Sequence, residues 1–247
     1  MTSQAQLKAE VEETLGYWDE SQQAFAELDA GFMQAWHRMA ALPARKNHLG
    51  DKVRALIGLS ASAAATHLYT PGMRRHVRNA LAAGASQEEI VEVLELTATL
   101  GIHACNIGVP LLLEVLEETG HRQGAAALDE RQEKLKAEFT QARGYWHSFW
   151  DGLLELDPDL FEAYLDFSAY PWRNGVLAPK IKEFVYCAFD AAATHLYVPG
   201  LRMHMKNAIG YGATAEEIME VLEIVSVIGM HGPESAAPIV RDELKRR

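Results

Sequence analysis

Histidine carries the chemical interest of this chain, because an imidazole titrates near neutral pH and can act as acid, base or metal ligand. Ten are present, and six form pairs 128 positions apart: His67 with His195, His76 with His204, and His103 with His231. His37, His48, His121 and His147 have no histidine at that offset. Two of the pairs lie in one recurrent segment, His-Leu-Tyr-x-Pro-Gly-x-Arg-x-His, which also contains Tyr69 or Tyr197 and Arg74 or Arg202. The arginines could hold a substrate carboxylate in a bidentate clamp, and the tyrosines could donate to a carbonyl or lactone oxygen. Packing offers the plainer account of each: a histidine bonding a helix end, an arginine in solvent, a tyrosine closing a helix.

These residues recur because most of the chain does. Ala63 to Glu95 aligns without a gap to Ala191 to Glu223 with about two thirds of positions identical, and the same offset pairs Gly16-Tyr17-Trp18 with Gly144-Tyr145-Trp146, Lys52 with Lys180 and Pro110 with Pro238. Such a period makes each copy one structural unit, here taken as residues 1–122 and 123–247. Apolar residues recur at spacings of three and four, and strand-like alternation is scarce, so the fold class is all-α, two tandem helical units related by pseudo-twofold symmetry.

Within a copy, a first helix is expected from about Leu7 to Ala41, with a break near Leu28-Asp29, ending before a loop at Pro43. Its counterpart should start near Leu128 and end before Pro171. An Ala-rich second helix spans about Gly50 to Tyr69, and a third runs from Pro71 to Ala83 with Gly84 as its stop. Ser86 with Glu89, and Thr214 with Glu217, form capping boxes that open a fourth helix. That helix carries Ile90, Val93, Leu94 and Thr97 on one face and ends near Gly101; a last helix follows Pro110.

The stretch from Lys180, with Glu183, the Ala-rich helix, His204, Ala208, Gly212-Ala213-Thr214 and Glu217-Ile218, resembles the carboxymuconolactone decarboxylase and alkylhydroperoxidase D superfamily. The first copy shows the same pattern from Lys52 through His76, Ala80, Gly84-Ala85 and Glu89-Ile90. The redox branch of that superfamily uses a CxxC pair, one thiol attacking peroxide and the other resolving it. Here those positions fall on Tyr197 or His195 and Gly200, with Tyr69 or His67 and Gly72 in the first copy, and the two cysteines, Cys105 and Cys187, lie in non-equivalent places. Peroxidase chemistry is therefore disfavoured, and the resemblance that remains is to the decarboxylase branch.

That branch implies histidine acid/base chemistry on a small carboxylated or lactone-type metabolite, without a cofactor. On it, His204 and His76 are the expected proton donors, Arg202 and Arg74 the carboxylate anchors, and Tyr197 with His195 (Tyr69 with His67 in the first copy) the polarising donors. Glu183 matches the family glutamate but faces Ala55 in the first copy, which favours the second copy as the working site. A metal site built from the duplicated histidines, or a non-catalytic module that binds a small molecule or serves assembly, stands as the alternative.

Composition narrows the partners. A net charge of -11 and a pI near 5.4 argue against nucleic acid, whose binders concentrate Lys and Arg. No apolar run is read as long enough for a membrane span, and acidic residues occupy the place of a signal peptide, so a cytoplasmic protein is expected. Apolar faces left by the helices favour a homo-oligomer, and the resemblance implies a trimer of fused pairs.

Overall fold

Fifteen α-helices and three short 3-10 helices make up the regular backbone of the described residues, 3–246 of a computed structural model, and no strand occurs among them. The chain belongs to the expected all-α class, but it groups into two compact units that cut across the sequence repeats. One unit combines the stretch ending at Thr97 with the stretch from Leu177 onward; the other comprises Ala98–Val176.

The first unit begins with α1 (Gln4–Leu15), α2 (Glu20–Leu28), α3 (Ala30–Ala40) and α4 (Leu42–Lys46). The helix expected over Leu7 to Ala41 is broken at Asp29, as anticipated, and also at Gly16. Gly16 takes a left-handed φ of 74° that ends α1, the Asp29 side chain caps α3, and Pro43 sits in the first turn of α4 rather than in a loop. Next come α5 (Asp51–Ala63), α6 (Thr70–Ala82) and α7 (Gln87–Ala98), and after Leu177 their repeats α12 (Pro179–Ala191), α13 (Val198–Gly210) and α14 (Ala215–Ser226). A last helix, α15 (His231–Lys245), completes the unit and packs on α2.

Capping chemistry sets these boundaries as expected. Ser86 and Thr214 exchange reciprocal bonds with Glu89 and Glu217, and Lys52 and Lys180 hold the same glutamates at 2.7 and 2.8 Å. On α7, however, Leu94 is exposed and Leu96 is buried beside Val93 and Thr97, so the buried face is rotated from the expected one.

At the centre α5 and α12 pack together with α14, around Ile57, Ala61, Phe184, Cys187, Ala188, Val221 and Val225. Two reciprocal ion pairs mark the pseudo-twofold relation. Arg54 of α5 meets Glu220 of α14 at 3.4 Å, and its counterpart Lys182 of α12 meets Glu92 of α7 at 2.5 Å. Each glutamate also accepts the backbone N–H that leads into the partner's helix, Leu49 at 3.2 Å and Leu177 at 2.8 Å. Buried charges persist only with such pairing and hydrogen bonding.

The second unit contains α8 (His103–Glu118), α9 (Glu130–Arg143), α10 (Asp151–Leu156) and α11 (Pro158–Asn174), around an aromatic core of Phe139, Trp150, Phe161 and Tyr164. Pro110, Pro171 and Pro238 lie inside α8, α11 and α15, contrary to the expected boundaries. The helical stretch Gln87–Glu118 also corrects the membrane expectation. It reaches the length and apolarity of a span, with a mean hydropathy of 1.5 and 28% of the window buried.

Candidate functional site

The turn between α5 and α6 carries the first half of the recurrent segment. Leu68 adopts φ 52°, a left-handed conformation uncommon for a branched side chain, and Leu196 repeats it in the second copy. The reversal lets the Tyr69 N–H bond the Ser62 carbonyl at 2.9 Å. Gly72 then allows α6 to pass close to α5, since a Cβ there would lie 2.6 Å from Ser62 Oγ. His67 and Tyr69 thereby face α15, while Arg75 and His76 follow on α6.

Around this turn a polar cluster assembles from three stretches distant in sequence. His231 of α15 shares a 2.7 Å hydrogen bond with His67, Nδ1 to Nε2, and stacks on Tyr69 at 4.0 Å. Glu234, one turn on and wholly buried, accepts from Gln22 Nε2 at 2.6 Å, Tyr69 Oη at 2.8 Å and Arg75 Nη1 at 2.6 Å. Arg75 also pairs with Asp19 at 2.7 Å and lies over the Tyr17 ring at 4.4 Å. Burial and the Glu234 charge push the phenols of Tyr17 and Tyr69 above their ordinary range. Burial works most strongly against the charge on Arg75, but Glu234, Tyr17 and Asp19 together outweigh it and raise its pKa above the ordinary value.

Beside the cluster lies a cavity of about 340 Å³, at the small end for ligand pockets, into which His76 and His231 both face. Its walls include Tyr17, Trp36, Ala55, Gly58 and Ile228. Gly58 is required there: a Cβ would lie 2.2 Å from His76 Cε1. No hydrogen bond engages the His76 ring among the described residues. Burial, aided by Arg75, pushes its pKa down to about 4. Burial, with His67, His76 and Arg75 nearby, brings His231 to about 3. Both imidazoles therefore favour the neutral form at pH 7, and the His76 ring keeps a nitrogen able to accept a proton.

The second copy handles its histidine differently. His204 is buried, its Nδ1 is 2.6 Å from Glu183 Oε2, and its ring stacks on Tyr186 at 4.3 Å. Asn207 adds a 3.3 Å bond to the same glutamate. Glu183 and Tyr186 occupy the positions of Ala55 and Gly58, so the two side chains packed on His204 correspond to open wall at His76. His195 is half-buried, with burial lowering its pKa, and Tyr197 is buried, its ring 6.1 Å from that of His195. Cys187 is wholly buried, and burial with Glu183 and Asp190 raises its thiol pKa, the opposite of an activated thiolate.

Several sequence-level assignments change. Arg74 and Arg202 are exposed; the buried arginine is the next residue, Arg75. Helical geometry decides this, since adjacent residues point about 100° apart. Tyr69 spends its hydroxyl on Glu234 and is not free for a substrate. Sequence reading saw Tyr17 only as part of the repeat and missed Asp19, Gln22, Arg75 and Glu234, and for these four the offset explains why. Arg75 has Met203 opposite, Glu234 has Asn106, Asp19 has His147 and Gln22 has Trp150, so a search for duplicated residues passes over them. Cluster members also come from both copies, because α15 belongs by sequence to the second repeat.

Comparison with known proteins agrees with this architecture. The carboxymuconolactone decarboxylase family matches residues 12–106 and 158–237. A solved structure from Burkholderia xenovorans LB400, provisionally named a gamma-carboxymuconolactone decarboxylase subunit, is similar at 60% sequence identity and a TM-score of 0.96, covering 98% of this chain and 97% of that one. No curated protein matches the chain.

Proposed function

Because the chain belongs to the carboxymuconolactone decarboxylase family, we propose that it is a lyase that removes CO2 from a small lactone-type or carbonyl-bearing acid, using His76 as the proton carrier. The observation that supports this most is a neutral, uncommitted imidazole on the wall of a cavity, with a second neutral imidazole, His231, on the same cavity.

In this reading the substrate enters as the protonated acid and His76 takes the carboxyl proton. The C–C bond to the carboxylate breaks, CO2 leaves, and the electron pair moves onto the conjugated carbonyl or lactone oxygen. His231 donates a hydrogen bond to that oxygen, which stabilises the enolate as charge develops. His76, whose lowered pKa makes its cationic form a strong acid, returns the proton to carbon. No net proton is consumed. His67, half-buried and bonded to His231, fixes the tautomer of that ring and links it toward solvent.

Release of CO2 from a panel of unsaturated lactone acids and β-keto acids, followed for wild type and His76→Gln, tests the assignment. Undiminished turnover in a folded His76→Gln variant would sink it. The same reading includes a cytoplasmic homo-oligomer, with a trimer of fused pairs as its form. Equivalent positions of α8 and α15 expose Leu111 and Leu112, and Ile239 and Val240, as apolar surface. Light scattering of the purified chain checks it.

A further inference from the structure

We infer that the cavity at His76 selects a ligand with no more than one ionisable carboxyl group, and so discriminates against dicarboxylates such as a carboxy-substituted muconolactone. This rests on the reading of that cavity as the reaction site and concerns what enters it.

The argument is electrostatic. A second carboxylate that stays ionised must be matched by a cation inside the site, because the low dielectric makes an unpaired buried charge strongly unfavourable. Two guanidinium groups are near enough to be considered, Arg54 on the cavity wall and Arg75 next to His76. Both are already held. Arg54 bonds Asp51, the Asn47 side chain and the Leu49 carbonyl, and lies 3.4 Å from Glu220, which is wholly buried. Arg75 is held by Asp19 and by Glu234, also wholly buried.

A buried glutamate cannot rotate into water to release its arginine. Moving Arg75 onto a ligand would leave Glu234 without its cation, and moving Arg54 would leave the Glu220 charge held only by the backbone N–H groups of His48 and Leu49. The remaining charges on the cavity wall, Glu13 and Asp51, are acidic and repel an anion. The imidazoles of His76 and His231 are neutral and offer hydrogen bonds rather than charge. The exposed Arg74 and Arg202, which sequence alone suggests as clamps, do not line the cavity. The wall is thus equipped for the oxygens of an uncharged ring and for one carboxyl group that arrives protonated.

Calorimetric titration of the full chain with three ligands on one unsaturated γ-lactone ring tests this: the monocarboxylic acid, its methyl ester and the dicarboxylic acid, each at low and high salt. The monoacid and the ester should bind at least tenfold more tightly than the diacid, and the ester with little dependence on salt. Glu13→Gln combined with Asp51→Asn should narrow the gap by improving the diacid alone. A diacid that binds as tightly as the monoacid, with affinity that falls as salt rises, overturns the inference while leaving the proton role of His76 intact. If none of the three binds, the inference falls together with the cavity as the reaction site; loss of the His76 role alone would show instead as full turnover in His76→Gln.

Discussion

The surroundings of His76 and His204 are one design filled in two ways. Both histidines stand at the same place on equivalent helices, α6 and α13, and both face a central Ala-rich helix. At His76 that helix presents Ala55 and Gly58, and the ring looks into a cavity; at His204 it presents Glu183 and Tyr186, which bond and cover the ring. Two small residues leave room for a ligand, and two larger ones replace that ligand with protein. Duplication therefore preserved the histidine while its environment diverged, so a shared residue need not mean a shared role.

Replacing the two histidines gives the sharpest test. His76→Gln should lower turnover by about 10²–10⁴-fold with the fold intact, the usual worth of a proton-transfer group. His204→Gln should leave turnover within about threefold and lower Tm instead, because a buried carboxylate loses its partner. Equal loss of activity in both variants, read by steady-state kinetics beside circular dichroism, would mean that both sites work.

Gly58→Ala comes next. The new Cβ would displace the His76 ring, and a misplacement near 1 Å costs roughly 10²-fold in rate. Steady-state kinetics should show a fall in kcat larger than any rise in KM. An unaltered kcat would show that the ring position at Gly58 is not critical.

Stability differences rank below these. Glu234→Gln removes the charge that holds Arg75 and should cost about 3 kcal/mol by urea denaturation, whereas Asn106→Ala, at the equivalent position, should cost about 1 kcal/mol. Acid has a related effect. His76 and His231 stay neutral in the fold well below their ordinary value of 6.5, so the unfolded chain binds more protons there. Stability is therefore full above about pH 6.5 and falls as pH drops through about 4 for His76 and about 3 for His231, by on the order of 2 kcal/mol for the pair after allowance for solvent. His231→Asn should flatten the fall of Tm over that range; an unchanged slope would remove His231 from the account.

The smallest effect is expected at the turn that both copies share. Leu68 is exposed with φ 52°, so Leu68→Asn relieves backbone strain without opening the core and should raise stability by up to about 1 kcal/mol. Leu196→Asn should match it, and thermal melts that separate the two would show that the turns are not equivalent.

Much of this architecture was legible in the residues. The 128-residue offset and three-to-four spacing gave the all-α tandem fold, and Ser86-Glu89 and Thr214-Glu217 placed two helix starts at their caps. Local signals of that kind act within one turn of chain, where geometry is fixed by covalent connectivity. Proline was less informative: Pro110, Pro171 and Pro238 sit within helices because tertiary packing can outweigh one missing hydrogen bond.

Sequence by itself determined which residue types recur, and so pointed to the pair His76 and His204, favouring His204 because Glu183 stands only in its copy. Only the tertiary structure decided that they differ, that Arg75 rather than Arg74 enters the interior, and that His231 and Glu234 cross from the second repeat to complete the cluster beside the first. The reason is physical. A repeat records what two copies share, whereas the pairing of buried charges and the space left beside a ring depend on what non-adjacent helices bring together, and those contributions are where the copies differ.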